Sequence, residues 1–319
     1  FHAGRRRVDI FMSDRYNVTD KTPSESAEWI RELTHRIRAL EDLPSDFHLL
    51  REEREFFAGS KKGPPEATPE KPEAAPATHA HDHGCSADRP LYHSGSGEHR
   101  ESGFAFAVTP YYFSLVEERG DDPEGRADPI RKQCVPRKEE LELFGYESAD
   151  PLQEGRFSPL PRLVHRYADR VLLLTTDECA VYCRHCFRRH FSGGRVGAVS
   201  LEEADKIGEY LAEHAEVKEL IFSGGDPLTL ADRKLADIMK KLRRYRPDLV
   251  FRLATRMPVV LPGRITEHLT ELLGSLAPLF VVTQFNHPRE ITGKSAAAIG
   301  RLLEAGLPVS ARIQKWLFW

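Results

Sequence analysis

The chain has 319 residues and a formal net charge of −3, because 46 lysines and arginines stand against 49 aspartates and glutamates. This balance argues against a general nucleic-acid binder, which needs a basic surplus to neutralise phosphates. Hydrophobic residues make up 40% of the chain, enough for a sizeable core. No apolar run approaches the roughly 20 residues that cross a bilayer, and residues 1–7 lack the apolar core of a signal peptide. We therefore expect a cytoplasmic protein that binds neither nucleic acid nor membrane.

The first predicted element is an amphipathic helix. Thr22-Pro23-Ser24-Glu25 is a capping box with proline at the first helical position. Apolar residues follow at helical spacing, namely Trp29, Ile30, Leu33, Ile37 and Leu40. The composition then shifts to Pro, Ala, Glu, Lys, Gly, Ser and His, which cannot bury enough surface to offset the entropy of ordering. We expect a mainly helical N-terminal region over residues 1–57, a flexible Pro/His-rich insertion over 58–102, and a continuation of the N-terminal region over 103–160.

Short apolar runs alternate with helical patterns over residues 161–310. Strands are predicted at Val171–Thr175, Glu219–Phe222, Val250–Ala254, Leu279–Phe285 and Leu307–Ser310. Helices are predicted between them, one after the capping box of Ser200 and Glu203, and others at Ala231–Arg244, Thr266–Leu273 and Lys294–Glu304. This alternation implies an α/β fold with parallel strands. About five strands are too few for a closed eight-unit barrel, so a partial, open β/α barrel is expected, followed by an aberrant tail over residues 311–319.

Three cysteines follow the first of these strands, where Cys179, Cys183 and Cys186 have a Cys-x3-Cys-x2-Cys spacing. Three thiolates from one loop suit three irons of a four-iron cluster and leave the fourth iron open for an outside ligand. A structural zinc site is the alternative, with His185 as fourth ligand, although adjacent residues rarely both bind one metal. Clustered thiols in such a chain fit metal ligation better than a disulfide framework. The remaining cysteines, Cys85 and Cys134, receive no role.

A glycine pair follows the second strand, in Ser223-Gly224-Gly225-Asp226-Pro227. Glycines at the end of a strand let the backbone approach a ligand closely. The same residues also suit a tight turn between strand and helix, so the motif alone is a weak signal. Its place at the same edge of the sheet as the cysteines favours a shared site.

Further segments occur in the order Pro110-Tyr111-Tyr112, Asp128-Pro129-Ile130-Arg131-Lys132-Gln133, His165-Arg166-Tyr167-Ala168-Asp169-Arg170-Val171, Cys183-Arg184-His185-Cys186-Phe187-Arg188-Arg189, Thr255-Arg256-Met257-Pro258-Val259-Val260-Leu261-Pro262-Gly263-Arg264-Ile265-Thr266 and Phe285-Asn286-His287-Pro288. Together with the cysteine loop, they resemble signatures of the radical S-adenosylmethionine (SAM) superfamily, and within it of the lysine 2,3-aminomutase family. The resemblance covers residues 22–310, interrupted by the Pro/His-rich insertion.

The resemblance implies a [4Fe–4S] cluster on the three cysteines, with SAM chelated by the open iron. Gly224, Gly225 and Asp226 match positions that contact the methionine moiety of SAM. In the family, the reduced cluster cleaves SAM to a 5′-deoxyadenosyl radical. The amino group of an amino acid held by pyridoxal 5′-phosphate then migrates from Cα to Cβ.

The resemblance also implies a site for pyridoxal 5′-phosphate. Arg166, Tyr167 and Arg170 match positions associated with this cofactor, and paired guanidinium groups suit its phosphate dianion. Arg188 matches the residue that binds the substrate carboxylate, where a planar guanidinium can bind both oxygens. The alternative for the first three residues is a basic surface turn at the entrance of the barrel.

Two departures from the family pattern affect the expected activity. Gln284 stands where family members usually carry histidine, and the residues after Ser310 do not resemble the expected continuation. The lysine that forms the Schiff base with pyridoxal phosphate, and the acidic residues that bind the substrate's amino groups, are therefore not assigned. Lys294 and Lys315 lack the family's glycine-rich context for that lysine. We expect the chain to bind a cluster but not to complete the amino migration alone.

The function expected from the sequence is an isomerase reaction, the 2,3-amino migration of an amino acid, with L-lysine as substrate. Glutamate and a lysine of a translation factor are the alternative substrates. A zinc-stabilised, non-catalytic binding module is the alternative from another class. The expected partners are the amino acid, an electron donor such as flavodoxin or ferredoxin, and a second copy of the chain.

Overall fold

The computed structural model describes residues 25–45, 47–59, 104–117, 128–142, 148, 150–194 and 196–313. The predicted Pro/His-rich insertion, with Cys85, therefore lies outside the described residues except for Ala58 and Gly59. Within the predicted tail, only the residues from Ala311 to Ile313 are described.

The described strands form one sheet whose strand order follows the sequence. They are β1 (Leu163–Tyr167), β2 (Arg170–Thr176), β3 (Glu219–Gly224), β4 (Val250–Ala254), β5 (Leu279–Phe285) and β6 (Val309–Ile313). β1 is antiparallel to β2, and each later pair of neighbours is parallel. Parallel strands in sequential order are the arrangement of a β/α barrel. The predicted α/β fold with a partial, open barrel is confirmed.

Helices connect the parallel strands and precede the sheet. They are α1 (Glu25–Thr34), α2 (Arg51–Gly59), α3 (Pro110–Phe113), α4 (Pro129–Cys134), α5 (Leu201–Glu213), α6 (Asp232–Tyr245), α7 (Met257–Val260), α8 (Glu267–Gly274) and α9 (Gly293–Glu304). The capping box predicted at the start of α5 is present, with Ser200 and Glu203 bonded reciprocally. In the part of the chain that the structure describes, no helix has the length and apolarity needed to span a membrane.

The two faces of the sheet differ in burial. Alternate strand residues on the helix side are buried and join the helices in one hydrophobic cluster, among them Leu173, Phe222, Leu253 and Val281. Residues on the other, concave face are only partly buried, among them Leu172, Ile221, Arg252 and Phe280. In β/α folds, ligands bind beyond the carboxyl ends of the parallel strands. The concave face and its C-terminal edge are therefore where a site is expected.

The N-terminal helix is shorter than the apolar spacing predicted. Trp29 and Leu33 are buried on α1 as expected. Ile37, however, lies in a β-bridge with Val108 instead of extending the helix, and Leu40 begins a 3₁₀ turn. Pairing with Val108 satisfies the backbone groups of Ile37 that a longer helix would otherwise satisfy, so a long-range contact overrides the local pattern.

Two strands also differ from the sequence-based prediction. β1 was not predicted as a strand, although it carries part of the His165-to-Val171 segment and forms a hairpin with β2. β6 spans Val309–Ile313 instead of Leu307–Ser310, so residues assigned to the tail pair with β5. Both differences lie at the ends of the sheet, where short strands give a weak sequence pattern.

Candidate functional site

The three predicted cluster cysteines lie in the loop that follows β2. Cys179, Cys183 and Cys186 are free thiols and partly buried. Burial raises the pKa of Cys179 and of Cys186, and the negative charge of the neighbouring cysteines raises both further. The three sulfurs therefore lie close enough to repel one another as thiolates. A cationic iron–sulfur cluster would stabilise all three in that form, so this set of ligands fits the expected group.

The N-terminal region holds the cysteine loop in place. Arg184, within the loop, has a buried guanidinium whose Nη2 lies 2.6 Å from Glu140 Oε2. Its other N–H groups donate to the carbonyl oxygens of Phe104 (3.2 Å) and Ala105 (2.7 Å). Three further hydrogen bonds run from Arg36 Nη1 to the Cys179 carbonyl oxygen, from Tyr182 N to Ala107 O (3.0 Å) and from Arg184 N to Gln133 O (2.8 Å). The loop conformation thus depends on residues distant in the sequence.

The predicted glycine pair packs directly on the start of the cysteine loop. Gly225 N donates to Thr176 O at 2.5 Å. Gly224 has a φ of +108°, and a Cβ there would lie 2.6 Å from Thr176 O. A Cβ on Gly225 would overlap the carbonyl group of Glu178. Both glycines are therefore required by the close approach of two backbone segments, whatever they contact in a ligand.

Asp226 connects the loops that follow β3 and β4. Its buried carboxylate accepts hydrogen bonds from Thr255 Oγ1 (2.7 Å), Arg256 N (2.8 Å) and Leu228 N (3.1 Å). Burial raises the pKa of Asp226, and the hydrogen bond from Thr255 opposes that effect. The carboxylate is thus bonded to protein groups and fixes the position of the residues after β4.

Arg256 brings a positive charge to the cysteine loop. Its Nη1 lies 2.8 Å from Cys183 Sγ, and its Nη2 lies 2.9 Å from Glu290 Oε1. Burial alone would lower the pKa of Arg256, but the negative charges of Cys183 and Glu290 hold it well above the usual value. The guanidinium therefore stays charged beside one of the predicted cluster ligands.

His185, the alternative zinc ligand, belongs to a neighbouring hydrogen-bond network. Its Nε2 lies 3.3 Å from Asn286 Nδ2, and Gln284 Nε2 donates to Asn286 Oδ1 at 2.6 Å. Burial, and then the charge of Arg256, lowers the pKa of His185 to about 4. Among the described residues, no three His, Cys, Asp or Glu side chains are arranged to hold a single metal ion.

The residues predicted to bind pyridoxal phosphate and the substrate carboxylate line one cavity. Arg166, Tyr167, Arg170 and Arg188 surround a volume of about 160 Å³ over β1, β2 and β3. Arg188 belongs to the cysteine loop, whereas the other three come from the β1–β2 hairpin. The structure therefore brings a residue of the cysteine loop together with residues of the β1–β2 hairpin.

The guanidinium groups of this cavity already have protein partners. Arg188 Nη2 lies 2.8 Å from Glu154 Oε1, and Arg188 Nη1 lies 3.4 Å from Ser223 Oγ. Arg166 Nη1 donates to a backbone carbonyl at 2.9 Å, and Arg170 pairs with Asp169 at 2.7 Å. Each guanidinium has five N–H groups, so these contacts orient it and leave donors for an anion.

Comparison with known sequences shows which proteins the chain is similar to. Residues 173–312 match the profile of the Radical SAM superfamily. This part of the chain is therefore similar to the radical SAM superfamily. It is 44% identical to L-lysine 2,3-aminomutase of Fusobacterium nucleatum over 203 residues, 64% of this chain and 47% of that protein. It is 36% identical to the same enzyme of Bacillus subtilis over 282 residues, 88% of this chain and 50% of that protein.

A glutamate 2,3-aminomutase of Clostridioides difficile is also similar, with 37% identity over 206 residues, 65% of this chain and 47% of that protein. The chain spans about half the length of the curated relatives it matches. The radical SAM match begins within β2 and ends within β6. The predicted resemblance is therefore confirmed over the parallel part of the sheet, which contains the cysteine loop and the glycine pair.

Several residues around the cysteine loop were not predicted from the sequence to have a role. Arg184 and Arg256 both lie in segments that carry the family resemblance, but no local pattern indicated their contacts. Their partners Glu140 and Glu290, and the Glu154 partner of Arg188, are distant in sequence. The one feature of the sequence that indicated a role for Arg256 is its position after the carboxyl end of a parallel strand.

Proposed function

We propose that this chain carries the radical SAM, pyridoxal-phosphate-dependent part of an amino acid 2,3-aminomutase. One observation carries the proposal. Arg188 follows Cys186 by two residues and lines the same cavity as Arg166 and Arg170. A cluster on the cysteines and an amino acid in the cavity would therefore lie side by side, as a radical reaction between them requires.

Cys179, Cys183 and Cys186 would hold the [4Fe–4S] cluster. When bound, such a cluster with an open iron supplies the electron that cleaves SAM. The chain's own residues fix the loop around it, through the glycine pair and through Asp226. The carboxylate of Asp226 is hydrogen-bonded to Thr255 and to the backbone. Asp226 would therefore position this loop, in addition to any contact that it makes with SAM.

Arg166, Tyr167 and Arg170 would bind pyridoxal phosphate through its phosphate group. Two guanidinium groups supply charge-assisted hydrogen bonds to a dianion. Tyr167 is 60% exposed, so its ring is available to a ligand entering from the concave face. Arg188 would bind the substrate carboxylate through the N–H groups that Glu154 leaves unused.

L-Lysine is the proposed substrate because the relatives reported above include two lysine 2,3-aminomutases. Glutamate is the second candidate, supported by the similar glutamate enzyme. A translation-factor lysine stays an untested alternative. Flavodoxin or ferredoxin is the proposed electron donor, and a homo-oligomer is the proposed assembly. The proposed structural regions are residues 1–57, 103–160 and 161–310.

Lys294, the described lysine considered for the Schiff base, has its Nζ 5.4 Å from the ring centre of Tyr111. It is not among the residues that line the arginine cavity. The expectation that this chain does not complete the amino migration alone therefore stays a prediction.

The proposal is tested by reconstituting the chain anaerobically and adding SAM and dithionite, with L-lysine or L-glutamate and pyridoxal phosphate. We expect 5′-deoxyadenosine to form, and to form faster with the true substrate. Chromatography of the amino acids then reports whether β-lysine or β-glutamate accumulates. A chain that holds its cluster and yields no 5′-deoxyadenosine would contradict the proposal.

Arg166→Met should weaken the binding of pyridoxal phosphate about tenfold, because a charged hydrogen bond to the phosphate is lost. Equilibrium dialysis of the cofactor against the reconstituted chain measures this change. Arg233→Met is the matched control, since Arg233 is an 83% exposed side chain on α6. If the two variants bind pyridoxal phosphate with equal affinity, Arg166 does not contact the phosphate.

A further inference from the structure

The contact between Arg256 and Cys183 belongs to a buried network that the proposed function does not use. Glu290, which is fully buried, accepts hydrogen bonds from Arg256 Nη2 (2.9 Å) and from the Tyr112 hydroxyl (2.6 Å) on Oε1. Its Oε2 accepts from Asn286 N at 2.5 Å. Both carboxylate oxygens are therefore fixed by groups from α3 and from the loop after β5.

This network fixes the direction of the guanidinium. Arg256 Nη2 is held between Glu290, Tyr112 and the side-chain oxygen of Gln133, the last two at 3.3 Å. Nη1 is thereby directed at Cys183 Sγ, 2.8 Å away. The backbone of Arg256 is fixed as well, since its N–H donates to Asp226 at 2.8 Å. A rotation away from the sulfur would leave a buried carboxylate without its ion pair, which is costly.

A charged donor on a cluster sulfur changes the energy of electron uptake. Adding one electron makes the cluster and its thiolates more negative, so an N–H donor and a positive charge stabilise the reduced form more than the oxidised form. Neither Cys179 nor Cys186 has a described hydrogen bond from an arginine side chain to its sulfur. Cys186 interacts instead with the backbone N–H of Arg188 and with Ser192, so the charged side-chain donor acts at Cys183.

We propose that Arg256 is a positioning residue that raises the reduction potential of the cluster by donating to Cys183 Sγ, and that Glu290 limits this effect by neutralising part of its charge. The inference rests on the proposed function, because it requires a cluster on Cys183. The step concerned is the transfer of one electron from a reductant to the 2+ cluster, giving the 1+ cluster with no bond made or broken.

The test is a dithionite titration of the reconstituted full chain without SAM, followed by the EPR signal of the reduced cluster. Arg256→Gln is expected to lower the equilibrium constant for reduction about tenfold, which is about 59 mV for a one-electron couple. Glu290→Gln is expected to shift the midpoint in the opposite direction, because it removes a negative charge. Arg256→Lys keeps the positive charge but lacks the planar guanidinium with its fixed N–H directions. It is expected to lower the reduction midpoint by a smaller amount.

Arg252→Gln is the matched control. Arg252 lies on β4, four residues before Arg256, and its guanidinium is also ion-paired, with Glu219 at 2.7 Å. Its replacement is expected to leave the midpoint unchanged, although stability falls. A merely structural role of Arg256 would likewise lower stability without moving the midpoint.

The outcomes separate the two proposals. This inference alone is overturned if the reduction midpoint is the same in the wild type, in Arg256→Lys and in every other network variant that retains four irons. If Arg256→Gln fails to assemble the cluster, the opposite shift of Glu290→Gln and the smaller shift of Arg256→Lys decide the matter. A wild-type chain that holds no four-iron cluster would overturn the proposed function, and this inference with it.

Discussion

Replacing Cys183 with alanine is expected to reduce the iron bound by the reconstituted chain from about four atoms to less than one. Two remaining thiolates cannot hold three irons of the cluster, and they would repel each other without a cation between them. The loss is measured as iron and sulfide per chain, together with the visible absorption of the cluster. Because Cys183 is only partly buried and lies at the edge of the hydrophobic core, circular dichroism should change little.

Cys134→Ala is the matched control for this loss. Cys134 is fully buried in α4, and its Sγ donates to Ile130 O at 3.4 Å. Its alanine variant should lose about 1–2 kcal/mol of stability and keep its iron. Iron loss in Cys134→Ala equal to that in Cys183→Ala would indicate that unfolding, and not the missing ligand, releases the cluster.

Gly225→Ala is expected to have the second-largest effect, because its Cβ would overlap the Glu178 carbonyl at the start of the cysteine loop. Both groups are backbone, so neither can move aside cheaply. The overlap should cost about 1–3 kcal/mol of stability and displace the loop enough to lower cluster occupancy. Urea unfolding of the apo chain measures the first effect, and iron content after reconstitution measures the second.

Gly300→Ala provides the comparison. Gly300 lies inside α9, and a Cβ there would meet no atom within 4 Å. Alanine is the better helix former, so this variant should gain about 0.5–1 kcal/mol and keep full iron content. A Gly225→Ala chain as stable and as iron-rich as Gly300→Ala would show that the two loops do not pack as closely as described.

The parallel strands could be predicted from the sequence because buried strands appear as short, continuous apolar runs between helical patterns. The predicted bounds of β4 and β5 agree with the structure residue for residue. The N-terminal helix was predicted too long because the bridge between Ile37 and Val108 is a long-range contact. Local spacing carries no information about such a partner.

The candidate site also has residues that could be predicted from the sequence and residues that could not. The cysteines and the glycine pair are local motifs, so spacing and position after a strand were enough to find them. The contacts of Arg256 with Glu290 and of Arg188 with Glu154 join residues 34 positions apart. Single arginines and glutamates are common on protein surfaces, and only the folded chain shows which of them are buried against each other.

The proposed function requires that three cysteines hold a four-iron cluster whose fourth iron accepts SAM. The most direct measurement is the EPR spectrum of the reduced, reconstituted chain with and without SAM. We expect a cluster signal that SAM alters and that is lost in Cys183→Ala. Stoichiometric zinc with no such signal, unaffected by the replacement of Cys183, would contradict it and favour a non-catalytic zinc module.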